Sequence, residues 1–321
     1  MAIFIHKDIP KVQVIAHRGA SGYLPEHTLA GHAMAYGMGA DFLEPDLVLT
    51  KDDVPVILHD IQLDDTTDVA KKFPSKKRAD GRFYAIDLTY AELKQLRAQE
   101  RISLETGAPV FPGRFPLGLS DFSVPTLEEL IDLLVGLNRS SGKRVGLYPE
   151  LKEPLFHLEH KKDITKIVYD MFQKKKDLFK GTPLVWQCFD PGTLKRLKNE
   201  FQVQEALVLL LDDGVLALHD PTTLKKQLKE IAEYAHGIGP PLTSVFDAQG
   251  LSTRLVEGAH QHGLFVHAYT VRSDQLPSYV RGIEDFHHKI FIDEKVDAVF
   301  TDFSDTTLSF LRKNGLRSPF F

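Results

Sequence analysis

Short runs of β-branched and other apolar residues alternate with helix-period segments along the whole chain. That rhythm restricts the possible folds more than any other feature. Runs that read as strands lie near 12–17, 42–49, 145–151, 183–189, 205–211, 236–239, 264–270 and 297–302. Ala206-Leu207-Val208-Leu209-Leu210-Leu211 has no polar alternation, so both faces of that strand are expected to be covered, as in a parallel sheet between helices. Helical spacing recurs near 28–38, 159–175, 191–200, 221–235, 249–262 and 305–313. It is clearest from Thr126 to Leu134, where Thr126 and Glu129 have the spacing of a capping box. Pro191 suits the first turn of its helix, and Gly263 a position just past the end of another. Seven or eight β-α units within 321 residues favour an α/β fold, a (β/α)8 TIM barrel forming a single domain over 1–321. An open, doubly wound sheet is the alternative.

Residues 63–124 break the rhythm. They are rich in Lys, Asp, Pro and Gly and contain one short helical pattern near Tyr90–Gln99. A structureless loop of that length is unusual in a compact domain, so the segment reads as a small insertion after the second strand, capping one barrel end. Lys51-Asp52-Asp53 ahead of Val54-Pro55-Val56-Ile57-Leu58-His59 suggests a strand that turns back on itself.

Composition removes several function classes. A hydrophobic content of 43 % supplies a core, and a net charge of −5 leaves no basic footprint for nucleic acid. Cys188 is the one cysteine, which excludes an intrachain disulfide and argues against a thiolate metal site. No apolar run approaches the roughly 20 residues that span a bilayer. The apolar start Ile3-Phe4-Ile5 is too short for a signal peptide, which points either to a cytosolic protein or to an exported one without its signal.

Ionisable residues gather where the inferred strands end. Glu44 and Asp46 are two apart on a strand and so share a face, and Glu150 ends the next strand. Neighbouring carboxylates repel each other, and a divalent cation relieves that repulsion. Oxygen donors without cysteine favour one hard ion, Ca²⁺ or Mg²⁺, with Mn²⁺ a further option. Lys152 shares a strand face with Glu150. An imidazole's unperturbed pKa lies near neutrality, so His17 and His59 suit a general acid and base, with metal ligation as the alternative for either. Arg18 offers a planar fork for phosphate oxygens. Among the 14 histidines, His6, His157, His160, His287 and His288 read as surface or structural. A hard metal, two cations and an acid–base pair fit cleavage of a phosphodiester. Trp186, Phe189 and Tyr269, with Tyr23 and Phe122, are candidates to line a pocket, Tyr269 first among them. The Lys71-Lys72 and Lys76-Lys77-Arg78 clusters lie close to Asp64, Asp65, Asp68 and Asp80 and read as solvated surface.

The ordered series His17-Arg18-Gly19-Ala20-Ser21-Gly22-Tyr23-Leu24-Pro25-Glu26-His27-Thr28, Glu44-x-Asp46, His59-Asp60 and Pro149-Glu150-Leu151-Lys152 resembles the glycerophosphodiester phosphodiesterases. Tyr269-Thr270-Val271-Arg272 and Phe300-Thr301-Asp302-Phe303 are similar to that family too, and the likeness runs from about Val12 to Leu311. Phe73-Pro74 and Asp80–Asp87 look most like its bacterial periplasmic branch. The resemblance implies a TIM barrel that hydrolyses small glycerophosphodiesters such as glycerophosphocholine to sn-glycerol 3-phosphate and an alcohol. It also implies one Ca²⁺ or Mg²⁺ on Glu44, Asp46 and Glu150, His17 and His59 as the acid–base pair, and Arg18 and Lys152 on the phosphate. Two positions depart from the usual pattern: His27 stands where many members have Asn, and Tyr269 where many have Trp. The competing readings are a related phosphodiesterase acting on intact phospholipid and a catalytically silent binding barrel.

Overall fold

A computed structural model describes residues 12–318. The leader reading of the first residues and the surface reading of His6 fall outside the described residues. Among the described residues the strands are β1 (Gln13–His17), β2 (Phe42–Glu44), β3 (Asp46–Leu49), β4 (Pro55–Ile57), β5 (Gly146–Leu147), β6 (Glu150–Leu151), β7 (Val185–Cys188), β8 (Ala206–Leu210), β9 (Gly237–Gly239), β10 (Phe265–Val271) and β11 (Ala298–Thr301). Every expected run carries a strand, and two runs are divided. Pro45 separates β2 from β3, and Pro149 lies between β5 and β6, because proline has no N–H to give a ladder.

The chain forms two compact units. Of the described residues, the first comprises those up to His17, Met38–Phe42 and those from Leu184 onward. Its strands run parallel in the order β7-β8-β9-β10-β11-β1, with Trp186 opposite Leu207, Val208 opposite Gly237 and Ile15 opposite Phe300. Every residue of β7 is buried, as expected of a parallel strand covered on both sides. Helices Pro191–Asn199 and Pro221–Ala232 each open on an Asp-Pro pair. Asp190 accepts from the Thr193 N–H at 2.7 Å and Asp220 from the Thr222 N–H at 3.0 Å, while proline fills the turn that needs no donor. The helix expected over 249–262 begins only at Leu255. Asp247 takes the N–H groups of Gln249 (2.9 Å) and Leu251 (2.8 Å), which holds the preceding residues in a turn. Helices Leu242–Val245 and Ile283–His288 were not expected from periodicity.

The second unit comprises Arg18–Gly37 and Leu43–Pro183. β4 folds back antiparallel on β3, with Leu47 opposite Ile57. The turn between them is closed by Thr50, whose N–H donates to the Val54 carbonyl at 3.1 Å and whose Oγ1 accepts from the Val54 N–H at 3.0 Å. β6 lies parallel to β3 in a register that sets Asp46 beside Glu150. Helix Leu127–Ser141 begins at the expected capping box: Thr126 Oγ1 accepts from the Glu129 N–H at 3.0 Å, and Glu129 Oε2 accepts from the Thr126 N–H at 2.8 Å. The helix expected over 159–175 is two helices, Pro154–Glu159 and Ile164–Lys174. The chain breaks where Lys161 adopts φ 61°, and Asp163 then caps the second helix.

Residues 63–124 are packed rather than loose. They contain helices Val69–Lys72 and Tyr90–Leu93 and two single 3₁₀ turns. Leu63, Val69, Phe83, Leu88, Leu93, Leu96 and Val124 share one buried cluster with Val48, Val56 and Leu58 of the β3–β4 hairpin region. Among the described residues, no helix is long and apolar enough to cross a membrane.

Candidate active site and metal centre

The register that sets Asp46 beside Glu150 brings two carboxylates to neighbouring strands about 4.8 Å apart, and Glu44 joins them across Pro45. One carboxylate oxygen from each of Glu44, Asp46 and Glu150 lies within 4.8 Å of the others, and all three residues are buried. Burial, with the charges of Asp46 and Glu150, pushes the Glu44 carboxyl well above its ordinary range. Burial likewise lifts Glu150 to about 8, partly offset by Lys152 and reinforced by Asp46. Asp46 behaves oppositely: burial raises it, but the Lys152 ammonium and the contact with His27 hold it well below the usual range. Three buried acids that cannot all ionise alone make a set that a divalent cation would complete. Asp46 Oδ1 supports the fit, because it is buried and has no hydrogen-bond partner among the described residues.

The surrounding groups fix those acids. His27 Nε2 lies 2.8 Å from Asp46 Oδ2, and the Arg18 backbone N–H donates to Glu44 Oε2 at 2.8 Å. Arg18 and His27 both adopt left-handed backbone conformations, φ 57° and 64°, which non-glycine residues rarely take. Gly19 follows at φ 83°, and a Cβ there would meet the Gly31 backbone carbon at 2.8 Å, so only glycine lets the loop close. Lys152 Nζ lies 2.7 Å from Glu150 Oε1. Burial works against both cations, but Glu150 and Asp46 raise Lys152, and Glu26 and Asp46 raise Arg18, so both stay charged. The Arg18 Nη1 donates to both Glu26 oxygens, at 3.2 and 3.1 Å.

Each of the two histidines is braced by a carboxylate that an arginine holds in turn. His17 Nδ1 lies 2.6 Å from Asp302 Oδ1, and Arg272 Nε donates to Asp302 Oδ2 at 2.9 Å. His59 Nδ1 lies 2.7 Å from Asp60 Oδ1, and Arg101 Nη1 donates to Asp60 Oδ2 at 2.6 Å. A carboxylate only accepts, so each Nδ1 is the donor and Nε2 is left as the atom that takes or gives a proton. Burial, then the charges of Arg18 and Lys152, pull His59 down to about 4, which keeps it a neutral base near pH 7. Asp60 and Asp302 were legible as members of the motifs His59-Asp60 and Phe300–Phe303, but their bracing role was not, and Arg101 gave no sequence signal. Of the candidate aromatics Trp186, Phe189 and Tyr269, the first is 1 % exposed. Phe189 and Tyr269 are half-buried and meet edge to face with ring centres 6.2 Å apart, while the Tyr269 hydroxyl donates to the Leu211 carbonyl at 2.6 Å.

The model of the glycerophosphoryl diester phosphodiesterase family matches residues 17–306. The chain belongs to that family. It is 39 % identical to a glycerophosphodiester phosphodiesterase of Haemophilus influenzae, over 93 % of this chain and 89 % of the relative. A Treponema pallidum protein of the same name is 33 % identical over 94 % of this chain and 92 % of its own length. Among solved structures, one from Silicibacter pomeroyi superposes with a TM-score of 0.70 at 24 % identity, covering 95 % of both chains. A phosphodiesterase of Oleispira antarctica, solved with its product sn-glycerol 3-phosphate, gives 0.64 at 24 % identity over 93 % of this chain and 96 % of its own. At such identities these structures speak for the fold alone, the α/β architecture with a parallel sheet of the family's TIM barrels.

Proposed function

We propose that this chain hydrolyses small glycerophosphodiesters, such as glycerophosphocholine and glycerophosphoethanolamine, to sn-glycerol 3-phosphate and the free alcohol. The observation that carries the reading is the buried trio of Glu44, Asp46 and Glu150, packed against Lys152 and tied to the Arg18 backbone. Membership of the family supports it, as does the product held by the Oleispira antarctica relative. Glu44, Asp46 and Glu150 would hold one Ca²⁺ or Mg²⁺ ion. When bound, that ion supplies positive charge against the phosphoryl oxygens as negative charge develops. Arg18 and Lys152 add fixed cations on the phosphate, and neither has to be recruited because both are already charged and buried.

His17 and His59 divide the proton transfers. A neutral His59, with its Nδ1–H on Asp60, can take a proton at Nε2, and His17 is oriented the same way by Asp302. One deprotonates the attacking hydroxyl, and the other, starting as the imidazolium, protonates the departing alkoxide from its Nε2; the attacker is water, or the glycerol's own 2-hydroxyl, after which water opens the cyclic phosphate. With Trp186 closed off from solvent, the aromatic contact to the alcohol falls to Phe189 and Tyr269. Segment 63–124 is the cap of this site, and its Phe73-Pro74 and Asp80–Asp87 motifs keep the chain with the bacterial periplasmic branch.

Release of glycerol 3-phosphate from glycerophosphocholine, with EDTA and then with Ca²⁺ or Mg²⁺ restored, tests the reading. Product should vanish with chelator and return with one ion. Absence of product with either ion, or product insensitive to chelator, would overturn it.

A further inference from the structure

We infer that Arg101, carried by segment 63–124, is a positioning residue for His59. This rests on the acid–base role proposed for His59 and deepens it. Arg101 reaches three carboxylates at once. Its Nη1 donates to Asp60 Oδ2 at 2.6 Å and to Asp65 Oδ2 at 3.3 Å, its Nη2 to Glu26 Oε1 at 2.8 Å and its Nε to Glu26 Oε2 at 3.2 Å. Two of those acceptors lead onward. Asp60 turns its other oxygen to His59 Nδ1, and both Glu26 oxygens also accept from Arg18 Nη1. One guanidinium therefore ties the base and the phosphate cation into a single frame.

The geometry needs the fork of an arginine. A bidentate face on Glu26 and a third nitrogen on Asp60 require a rigid, planar donor set, which a lysine ammonium lacks. The backbone holds Arg101 in place from both sides: its carbonyl accepts from the Val110 N–H at 2.8 Å, and the adjacent Ile102 N–H donates to the Asp65 carbonyl at 2.9 Å. Side-chain exposures of 16 % for Arg101 and 9 % for Glu26 keep water from competing strongly for these bonds. Asp60 stays ionised in this setting: burial raises its carboxyl, but His59 and Arg101 more than reverse that. Without Arg101, Asp60 would lose the partner that fixes its plane, and the imidazole would lose its fixed orientation and tautomer.

Arg82 provides the control. It binds Asp65 Oδ1 at 2.7 Å and Asp64 Oδ2 at 2.7 Å in the same segment but touches neither Asp60 nor Glu26 in the bonds above. The experiment compares R101Q, R101K, R82Q and H59A for kcat, KM, thermal midpoint and the ¹⁵N signals of the His59 ring. The expected result is a fall in kcat of between about 10- and 100-fold for R101Q with KM changed less than about threefold. R101K should recover only part of that loss, and R82Q should stay within about twofold of the parent enzyme in kcat. In R101Q the His59 nitrogens should move from one tautomer toward a mixture. Equal kcat losses in R101Q and R82Q, tracking their thermal midpoints, would make Arg101 a mere staple of the segment and overturn the inference. So would an R101Q enzyme with parental kcat and an unchanged His59 spectrum. If R101Q does not fold, R101K decides: full parental kcat overturns the inference, and a loss with an altered His59 spectrum supports it. H59A separates the two levels, because undiminished turnover there defeats the His59 role itself, whereas a loss there with normal Arg101 variants defeats only this inference.

Discussion

His17 and Gly19 bracket Arg18 and do different work. Replacing His17 by Ala should lower kcat by about 10²- to 10⁴-fold while the fold and divalent-ion binding persist, as checked by turnover alongside calorimetric metal titration. Unchanged turnover would remove His17 from the chemistry. Gly19→Ala is predicted to act through structure, because the new methyl meets backbone atoms of Gly31 and His32 at 2.8 and 2.9 Å and the φ of 83° disfavours any Cβ. A loss of about 2 kcal/mol in urea unfolding is expected, with metal affinity falling too, since the Arg18 N–H that holds Glu44 sits in that loop. At this scale the sequence was most readable where chemistry and strand ends coincide. Glu44, Glu150, His17 and His59 each close an apolar run and Asp46 opens one, so their position and the chemistry of their side chains point the same way. Arg101 could not be read, because its partners lie 41 and 75 residues away and nothing local distinguishes it from other basic residues of the segment.

Elements were legible in proportion to how local their causes are. The Thr126–Glu129 box depends on four consecutive residues and appears as expected. Thr126→Ala should therefore cost about 1 kcal/mol, read as a lower thermal midpoint with unchanged KM. An unchanged midpoint would mean that packing alone fixes the start of that helix. The strands were legible because continuous apolar runs report burial on both faces, and their divisions fall at Pro45 and Pro149. The helix boundaries near 161 and 254 escaped because side-chain turns at Asp163 and Asp247 compete with the helix, and periodicity does not register that competition. Segment 63–124 was legible as a small insertion, but the residues it packs on were not. Its apolar residues are widely spaced and meet only through tertiary contacts with Val48, Val56 and Leu58.

For the whole molecule, buried histidines predict acid sensitivity. Burial holds His267 and His287 near 4 in the folded protein, below the ordinary 6.5. Well above pH 6.5 both are neutral whether folded or not, and they do not bias the equilibrium. Between pH 6.5 and 4 the unfolded chain takes up protons that the folded one refuses, so stability falls, by up to about 3 kcal/mol per residue at the lower end. Thermal midpoints from pH 8 to 4 should decline below 6.5. His287→Gln, which can still bond Thr307, should flatten the decline. A slope that this substitution leaves untouched would assign the acid sensitivity to other groups. The excursion at 63–124 also bears on how such a protein can be remodelled. Because Arg101 fastens to Glu26 and Asp60, the segment is less an ornament that can be trimmed or exchanged than one half of a lock. A shortened version, or one transplanted from a relative, would have to bring the matching residue or change both acids with it, so selection acts on this stretch and the scaffold as a pair.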